Sequence, residues 1–368
     1  MKNYLFISCL FFVFAKNVAQ SKKLNLWVGT YTQNCQSDGI YLYEFDEQNG
    51  KSKLVTHSQT VVNPSYLSLS KNKKTLYAVN ENGPQSTVSA FDVKANQIIF
   101  QNSQASKGAD PCHIINDEKN VIVANYSGGN ITVFKKNTDG SLSEAQQVVQ
   151  HQGKGFNDKR QQSPHVHQVV FSSDNQYILS NDLGLDKIYL YQYNPNQTKD
   201  ILTKKDSVLL KKGAGPRHLT FDNKGKYVYV LQELNGVLSV FEYQKGQLKW
   251  IQDTSVVLAT FEGETSAADV HITKDNRYLY ATNRGAANTI SCFEIRNDGK
   301  LTFLRNQSTN GKGPRNFVLS PNDKYLLIAH QYTNTIEVFE RNRHTGTLKN
   351  TSKSIALCSP VCLIFDTK

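Results

Sequence analysis

The chain has 368 residues, 39% hydrophobic and 20% charged, the balance of a soluble globular protein with enough apolar material for a sizeable core. Its formal charge of +11 is scattered among turn segments such as Lys71-Asn72-Lys73-Lys74 and Lys211-Lys212. Without an arginine-rich run to track a phosphate backbone, this charge argues against nucleic acid as a partner.

Residues 1–20 read as a secretory signal peptide. Lys2 gives the positive start, residues 4–15 are apolar, and Asn17-Val18-Ala19-Gln20 suits cleavage near Ala19 or Gln20. The apolar run falls short of the roughly 20 residues a bilayer-spanning helix needs. Removing residues 1–20 takes away Lys2 and Lys16 and no acid, leaving 40 basic and 31 acidic side chains, net +9, in residues 21–368. The expectation is a periplasmic or secreted single domain with no membrane span. Five cysteines follow the leader: Cys35, Cys112, Cys292, Cys358 and Cys362. An odd number leaves at least one unpaired, and the spacing fits neither a zinc ribbon nor a dense disulfide scaffold. Cysteine is therefore not expected to organise the fold.

The next segments, LWVGTYT (26–32), GIYLYEFD (39–46) and KLVTHS (53–58), read as strands that lack a partner preceding them. Repeating units then begin at Pro64, Pro111, Pro164, Gly215, Ala268 and Gly313, and a half-unit, residues 359–365, ends the series. Starts lie 45 to 53 residues apart, a propeller-blade period. Within each unit, runs of Tyr, Val, Ile and Phe are broken by turns such as Asp-Asn-Lys-Gly, and hardly any segment sustains a 3.6-residue apolar period. The fold class is all-β: a seven-bladed β-propeller whose N- and C-terminal strands share the closing blade, leaving only short edges. A monomer is expected, and the segment 150–162 is expected to form a loop on one face.

Superposing the units places Ser65, His167, Arg217, Ala268 and Arg315, with Cys112 after a two-residue deletion, at the start of the first strand. Glu81, Tyr126, Leu183, Glu233, Arg284 and Gln331 fall at the end of the second. In an antiparallel hairpin these positions are neighbours, so both sets should ring one mouth of the channel. Packing positions look alike from blade to blade, whereas these vary in chemistry while staying mostly polar. That contrast points to a composite site; the alternative is that the arginines only pair with acids to seal the channel. His165 and His167 project to one side of a strand, but no third or fourth zinc ligand is evident, so no metal is assigned. His113, His218 and His271 read as supporting polar groups. There is no G-x-S-x-G, H-E-x-x-H, P-loop or dinucleotide fingerprint, and Ser127-Gly128-Gly129-Asn130 reads as a hairpin turn.

From about Trp27 to Phe365 the chain resembles the seven-bladed lactonases related to bacterial 6-phosphogluconolactonase and fungal carboxymuconate cycloisomerase. The residues that carry the resemblance are GTYT (29–32), PCH (111–113) with VANYSGG (123–129), PHVHQ (164–168), NDLGLDKI (181–188), GPRHL (215–219) with ELN (233–235), ADVHI (268–272) with TNRG (282–285), and GPRN (313–316). His330-Gln331 stands where an Asn-Gln pair is more usual.

The resemblance implies a catalytic set of His167, Arg217, Glu233 and Arg284. Lactone opening needs a base for water, a cationic site for the oxyanion and an acid for the leaving alkoxide. Glu233 or His167 would be the base and the other the proton donor, with Arg217 and Arg284 holding negative charge. Arg315, Asn316, Tyr126 and Gln331 would orient the ring, supported by His165 and His113. Neither metal nor organic cofactor is required, and the partner is a small lactone, sugar-derived or anionic. Cycloisomerisation would use the same groups, and a non-enzymatic binding module is a third reading. A six-bladed, calcium-dependent gluconolactonase type fits neither the seven starts nor the scarcity of acids at the ring positions.

Overall fold

Residues such as Tyr227–Gln232 (YVYVLQ), a continuous apolar run up to its last residue, cannot lie on a sheet with one wet face. In the computed structural model each such run is the second strand of a four-stranded antiparallel sheet, buried at every position between neighbouring sheets. Outermost strands instead alternate, as in Leu142–Gln150. The structure describes residues 23–95 and 97–366, so the proposed leader, residues 1–20, lies outside the described residues.

Among the described residues the strands form seven such sheets arranged as the blades of a ring, and the helical content is two short 3₁₀ turns, Gly83–Gln85 and Leu183–Leu185. Blades 1 to 6 take residues 67–105, 111–150, 166–209, 216–255, 267–308 and 314–356. The closing blade combines Lys23–Thr30, Ile40–Asp46 and Ser52–His57 with the C-terminal Pro360–Phe365.

The core is divided among the blade interfaces rather than pooled. Each of the seven junctions has its own apolar cluster, such as Ile122 and Ile131 of blade 2 against Ile178 and Tyr191 of blade 3. Strand alternation lets one strand serve two junctions: in Lys23–Thr30, Trp27 packs toward blade 1 while Leu26 and Val28 pack toward blade 6. Gly29 sits where a Cβ would press into the Pro64 carbonyl oxygen, so the GTYT segment needs glycine for close approach to blade 1.

The ring closes through the ladder between Lys23–Thr30 and Pro360–Phe365, with Leu26 opposite Phe365 and Gly29 opposite Cys362. A disulfide between Cys35 and Cys358, 323 residues apart in sequence, reinforces this junction. Cysteine thus does more for the fold than its spacing suggests: a single long-range bridge has no spacing signature, because the propeller alone brings the two ends together. Cys112, Cys292 and Cys362 are free and buried.

Cross-links closing long loops stabilise chiefly by restricting the unfolded chain, typically by about 2–4 kcal/mol. Cys35→Ser is accordingly expected to keep the native far-ultraviolet spectrum and to lose about that much stability in urea titrations; an unmoved midpoint would show that the strand ladder alone closes the ring.

Candidate active site at the channel mouth

In six blades the ladder between first and second strands slips by a residue at the mouth. The slips lie at Cys112, His167, Arg217, Ala268-Asp269, Arg315 and Val361, and bulges of this kind re-aim side chains. Here they form an inner tier, with Ser65, Cys112, His167, Arg217, Arg315 and Val361 all lining one small cavity. Directly above, the residue after each second strand forms an outer tier: Tyr31, Glu81, Tyr126, Leu183, Glu233, Arg284 and Gln331.

One backbone hydrogen bond, repeated in every blade, ties the tiers together. The amide of each outer-tier residue donates to the carbonyl two residues before the inner-tier position: Tyr31 to Ser359 (3.0 Å), Glu81 to Asn63 (3.2 Å), Tyr126 to Asp110 (2.9 Å), Leu183 to His165 (2.9 Å), Glu233 to Gly215 (2.7 Å), Arg284 to Ser266 (3.0 Å) and Gln331 to Gly313 (2.9 Å). Five of these acceptor residues, Asn63, Asp110, Gly215, Gly313 and Ser359, have positive φ, and each precedes a proline. The Gly-Pro-Arg motifs therefore serve geometry before chemistry: glycine takes the left-handed turn, proline opens the strand where no ladder donor is needed, and arginine is turned to the channel.

A cavity of about 330 Å³ at this mouth is lined by Glu81, Asp110, Cys112, Tyr126, Ser127, Arg160, His167, Arg217, Glu233, Arg284 and Arg315. Glu233 is its electrostatic centre. Arg217 binds Oε2, Arg284 Nη2 lies 3.0 Å from the same oxygen, and Arg160 Nη2 donates to Oε1 at 2.7 Å. Burial opposes ionisation, but Arg217, Arg284 and Arg160 outweigh it and hold the carboxyl well below the usual carboxylate range. In return, burial and the like charge of Arg217 pull Arg284 down to about 9.

His167 is buried, and among the described residues its Nδ1 has no hydrogen-bond partner. Burial, then Arg217, His218, Arg315 and Arg284, keep it well below the ordinary histidine range and hence neutral. Beneath it, the rings of His218 and His113 follow at 5.3 Å and then 5.7 Å. Asp269 anchors this column, accepting from His218 Nδ1 (2.8 Å), His271 Nε2 (3.0 Å), Asn316 Nδ2 (2.6 Å) and the amide of Phe317 (3.1 Å).

The predicted catalytic set, His167, Arg217, Glu233 and Arg284, is thus brought together around one cavity, with Arg315 and Tyr126 in its wall. The remaining residues divide. His165 stacks on Tyr126 (4.5 Å between centroids) and donates from Nδ1 to its carbonyl oxygen (3.1 Å), bracing that ring. Gln331 lines an adjoining cavity of about 300 Å³ with Tyr31, Asn63, Glu81 and Asp110. Asn316 is committed to the scaffold, its Oδ1 accepting from the Leu363 amide at 2.7 Å, and His113 packs against Tyr66 at 4.2 Å.

Sequence reasoning missed Arg160 because it lies outside the repeat, in the loop 151–165. The loop is built, not slack: Asp182 and Tyr191 hold His151 at 2.6 and 2.8 Å, and Gln161 bonds Leu183 O (2.8 Å) and Asp186 Oδ1 (2.5 Å). Arg160 projects from it over the mouth with its side chain 42% exposed. A larger cleft, about 910 Å³, lies among the turns of blades 1 and 2, which the strand directions place on the opposite face. It gathers lysines, carboxylates and amides but no histidine or arginine. Among the described residues no three His, Cys, Asp or Glu side chains are arranged to hold a metal ion.

A family model described as "Lactonase, 7-bladed beta-propeller" matches residues 25–365. A Bacillus subtilis protein named 6-phosphogluconolactonase is 34% identical over 346 residues, covering 92% of this chain and 97% of its own length. Among solved structures, a Bacteroides fragilis protein provisionally named 6-phosphogluconolactonase superposes with a TM-score of 0.90 at 39% identity, over 94% of this chain and 98% of that one. A periplasmic gluconolactonase of Pseudomonas aeruginosa gives 0.90 at 33% identity, over 94% and 99%.

The burial of the Glu233 contacts separates scaffold from arm. Losing one member of a buried ion cluster typically costs about 3–5 kcal/mol, whereas an exposed pair is worth about 1 kcal/mol or less. Urea unfolding of Glu233→Gln should therefore show a loss near 3 kcal/mol, and Arg160→Ala a loss of less than about 1 kcal/mol; equal losses would mean that Arg160 is a structural strut.

Proposed function

The chain belongs to the seven-bladed β-propeller lactonase family, and from that premise we propose that its channel mouth hydrolyses a small sugar-derived lactone outside the cytoplasm. One observation carries this reading: an uncharged, buried histidine faces a cavity in which four guanidiniums share a single ion-paired carboxylate among the described residues. Such a site is made for negative charge that develops during reaction more than for a neutral ground state.

His167 takes a proton from water as the water oxygen attacks the lactone carbonyl. Arg217 and Arg284 receive the tetrahedral oxyanion, with Arg160 reaching in from the exposed side and Arg315 from the opposite wall. Tyr126, braced by His165, faces the sugar ring. Burial and, after it, the surrounding cations keep His167 neutral; the oxyanion offsets the cationic part, so the histidine becomes a stronger base as the transition state forms. No metal or organic cofactor enters these steps.

Three observations support action outside the cytoplasm. Residues 1–20 have the features of a signal peptide, the Cys35–Cys358 disulfide suits an oxidising compartment, and one similar structure is a periplasmic gluconolactonase. Phosphorylated gluconolactone is a cytosolic metabolite, which favours an unphosphorylated aldonolactone as the substrate.

The test is pH-stat hydrolysis of glucono-1,5-lactone and its 6-phosphate by residues 21–368. Turnover above the spontaneous rate, insensitive to chelator, is expected, with the unphosphorylated lactone at least as good a substrate. His167→Ala should lower kcat by about 10²-fold or more. Because a base works unprotonated, kcat/KM should hold as pH falls and decline only below the usual histidine value of about 6.5. Absence of catalysis on both lactones would refute the assignment.

A further inference from the structure

Lactone opening leaves an alkoxide that needs a proton, and Glu233 is badly placed to supply it. Both of its oxygens are taken by guanidiniums, Oε1 by Arg160 and Oε2 by Arg217 and Arg284. A carboxylate so bound stays ionised throughout the neutral range.

A second glutamate stands at the same repeat position on blade 1, three blades round the ring from Glu233 on blade 4 and so across the mouth from it. Glu81 lines the same cavity and also the adjoining one, where it forms part of the wall between them. Its partners are hydroxyls. Tyr31 Oη donates to Oε1 at 3.0 Å and lies 3.2 Å from Oε2, and Ser65 Oγ donates to Oε1. Arg315 reaches it only through Tyr31, donating to that hydroxyl at 2.9 Å. Among the described residues no guanidinium forms an ion pair with Glu81. The other titratable groups facing it are Asp110, whose charge disfavours its ionisation, and the buried thiol of Cys112. Burial is the largest influence on Glu81 and pushes its carboxyl above the ordinary glutamate range, against the opposing pull of Arg315 and of the Ser65 and Tyr31 hydroxyls.

Two carboxyl groups share one cavity, one clamped by three guanidiniums and the other buried without an ion pair among the described residues, and such a difference in surroundings is the arrangement by which a site divides acid from anion. We propose that Glu81 is the proton donor to the leaving ring oxygen. The assignment rests on the lactonase reading above. In the first step the water oxygen bonds to the carbonyl carbon and its proton passes to His167. In the second the bond from that carbon to the ring oxygen breaks, its electron pair stays on the ring oxygen, and Glu81 supplies the proton. The hydroxy acid is released, and one proton transferred through solvent from His167 to Glu81 restores both groups. Glu233 remains an anion that keeps the arginines in place.

The experiment compares pH profiles of kcat/KM on glucono-1,5-lactone for the wild type, Glu81→Gln, Glu81→Asp and Tyr31→Phe, each with a urea midpoint to show that it is folded. A donor works protonated, so the wild type should lose activity as pH rises through the Glu81 titration. Glu81→Gln should lower kcat by about 10²-fold with KM little changed, and should abolish that alkaline decline. Glu81→Asp should recover part of the rate. Tyr31→Phe, which removes a hydroxyl that favours the carboxylate, should move the decline to higher pH. A folded Glu81→Gln within threefold of wild-type kcat would overturn the assignment, as would a loss of rate with the alkaline decline left in place. Wild-type protein inactive on every lactone would instead overturn the lactonase reading itself.

Discussion

Everything at the mouth of this propeller hangs on one backbone hydrogen bond made seven times, from the residue that follows each second strand to the carbonyl two residues before the inner-tier position of the first. It fixes a tight corner, a left-handed residue followed by proline in five of the seven blades, and places the next side chain on or beside the bulge. Main-chain atoms carry the geometry of the corner, so the side chains of both tiers are free to differ from blade to blade. That freedom lets one blade present histidine, the next arginine and another alanine from the same frame.

The resulting charge distribution is lopsided. Arg160, Arg217 and Arg284 converge on the single carboxylate of Glu233, Arg315 has no ion pair among the described residues, and the other two acids of the cavity, Glu81 and Asp110, accept from hydroxyls and from the Gly83 amide instead. A protein selected for stability alone would pair such charges evenly, since buried charge costs free energy unless matched. The surplus suits a site that must accommodate negative charge only while a reaction is under way. The closed ring can tolerate it because seven separate apolar interfaces and a disulfide lie outside the cluster.

The blade count, the split closing blade and six of the seven positions in each tier were legible in the sequence because repetition supplies its own alignment: Arg217 and Glu233 stand 16 residues apart, as do Arg315 and Gln331. What repetition does not encode was not legible. Arg160 sits in an insertion with no counterpart in other blades, and Tyr31 belongs to the blade whose first strand comes from the far end of the chain. Cys35 and Cys358 meet only because the ring closes. Asn316 follows an arginine that faces the channel, yet the bulge turns it to Asp269 and the Leu363 amide. The alternating pattern marks which residues leave the core but not how a one-residue slip redirects them.

The most direct test of the account is a crystal structure with an aldonate, the product of lactone opening, bound to residues 21–368. The carboxylate should lie between Arg217 and Arg284, with one oxygen within hydrogen-bonding distance of Arg160 or His167 and the hydroxyl released by ring opening directed toward Glu81. An aldonate seated instead among the lysines of the cleft on the opposite face, with the mouth unchanged, would contradict the central claim that negative charge and chemistry meet in the arginine ring.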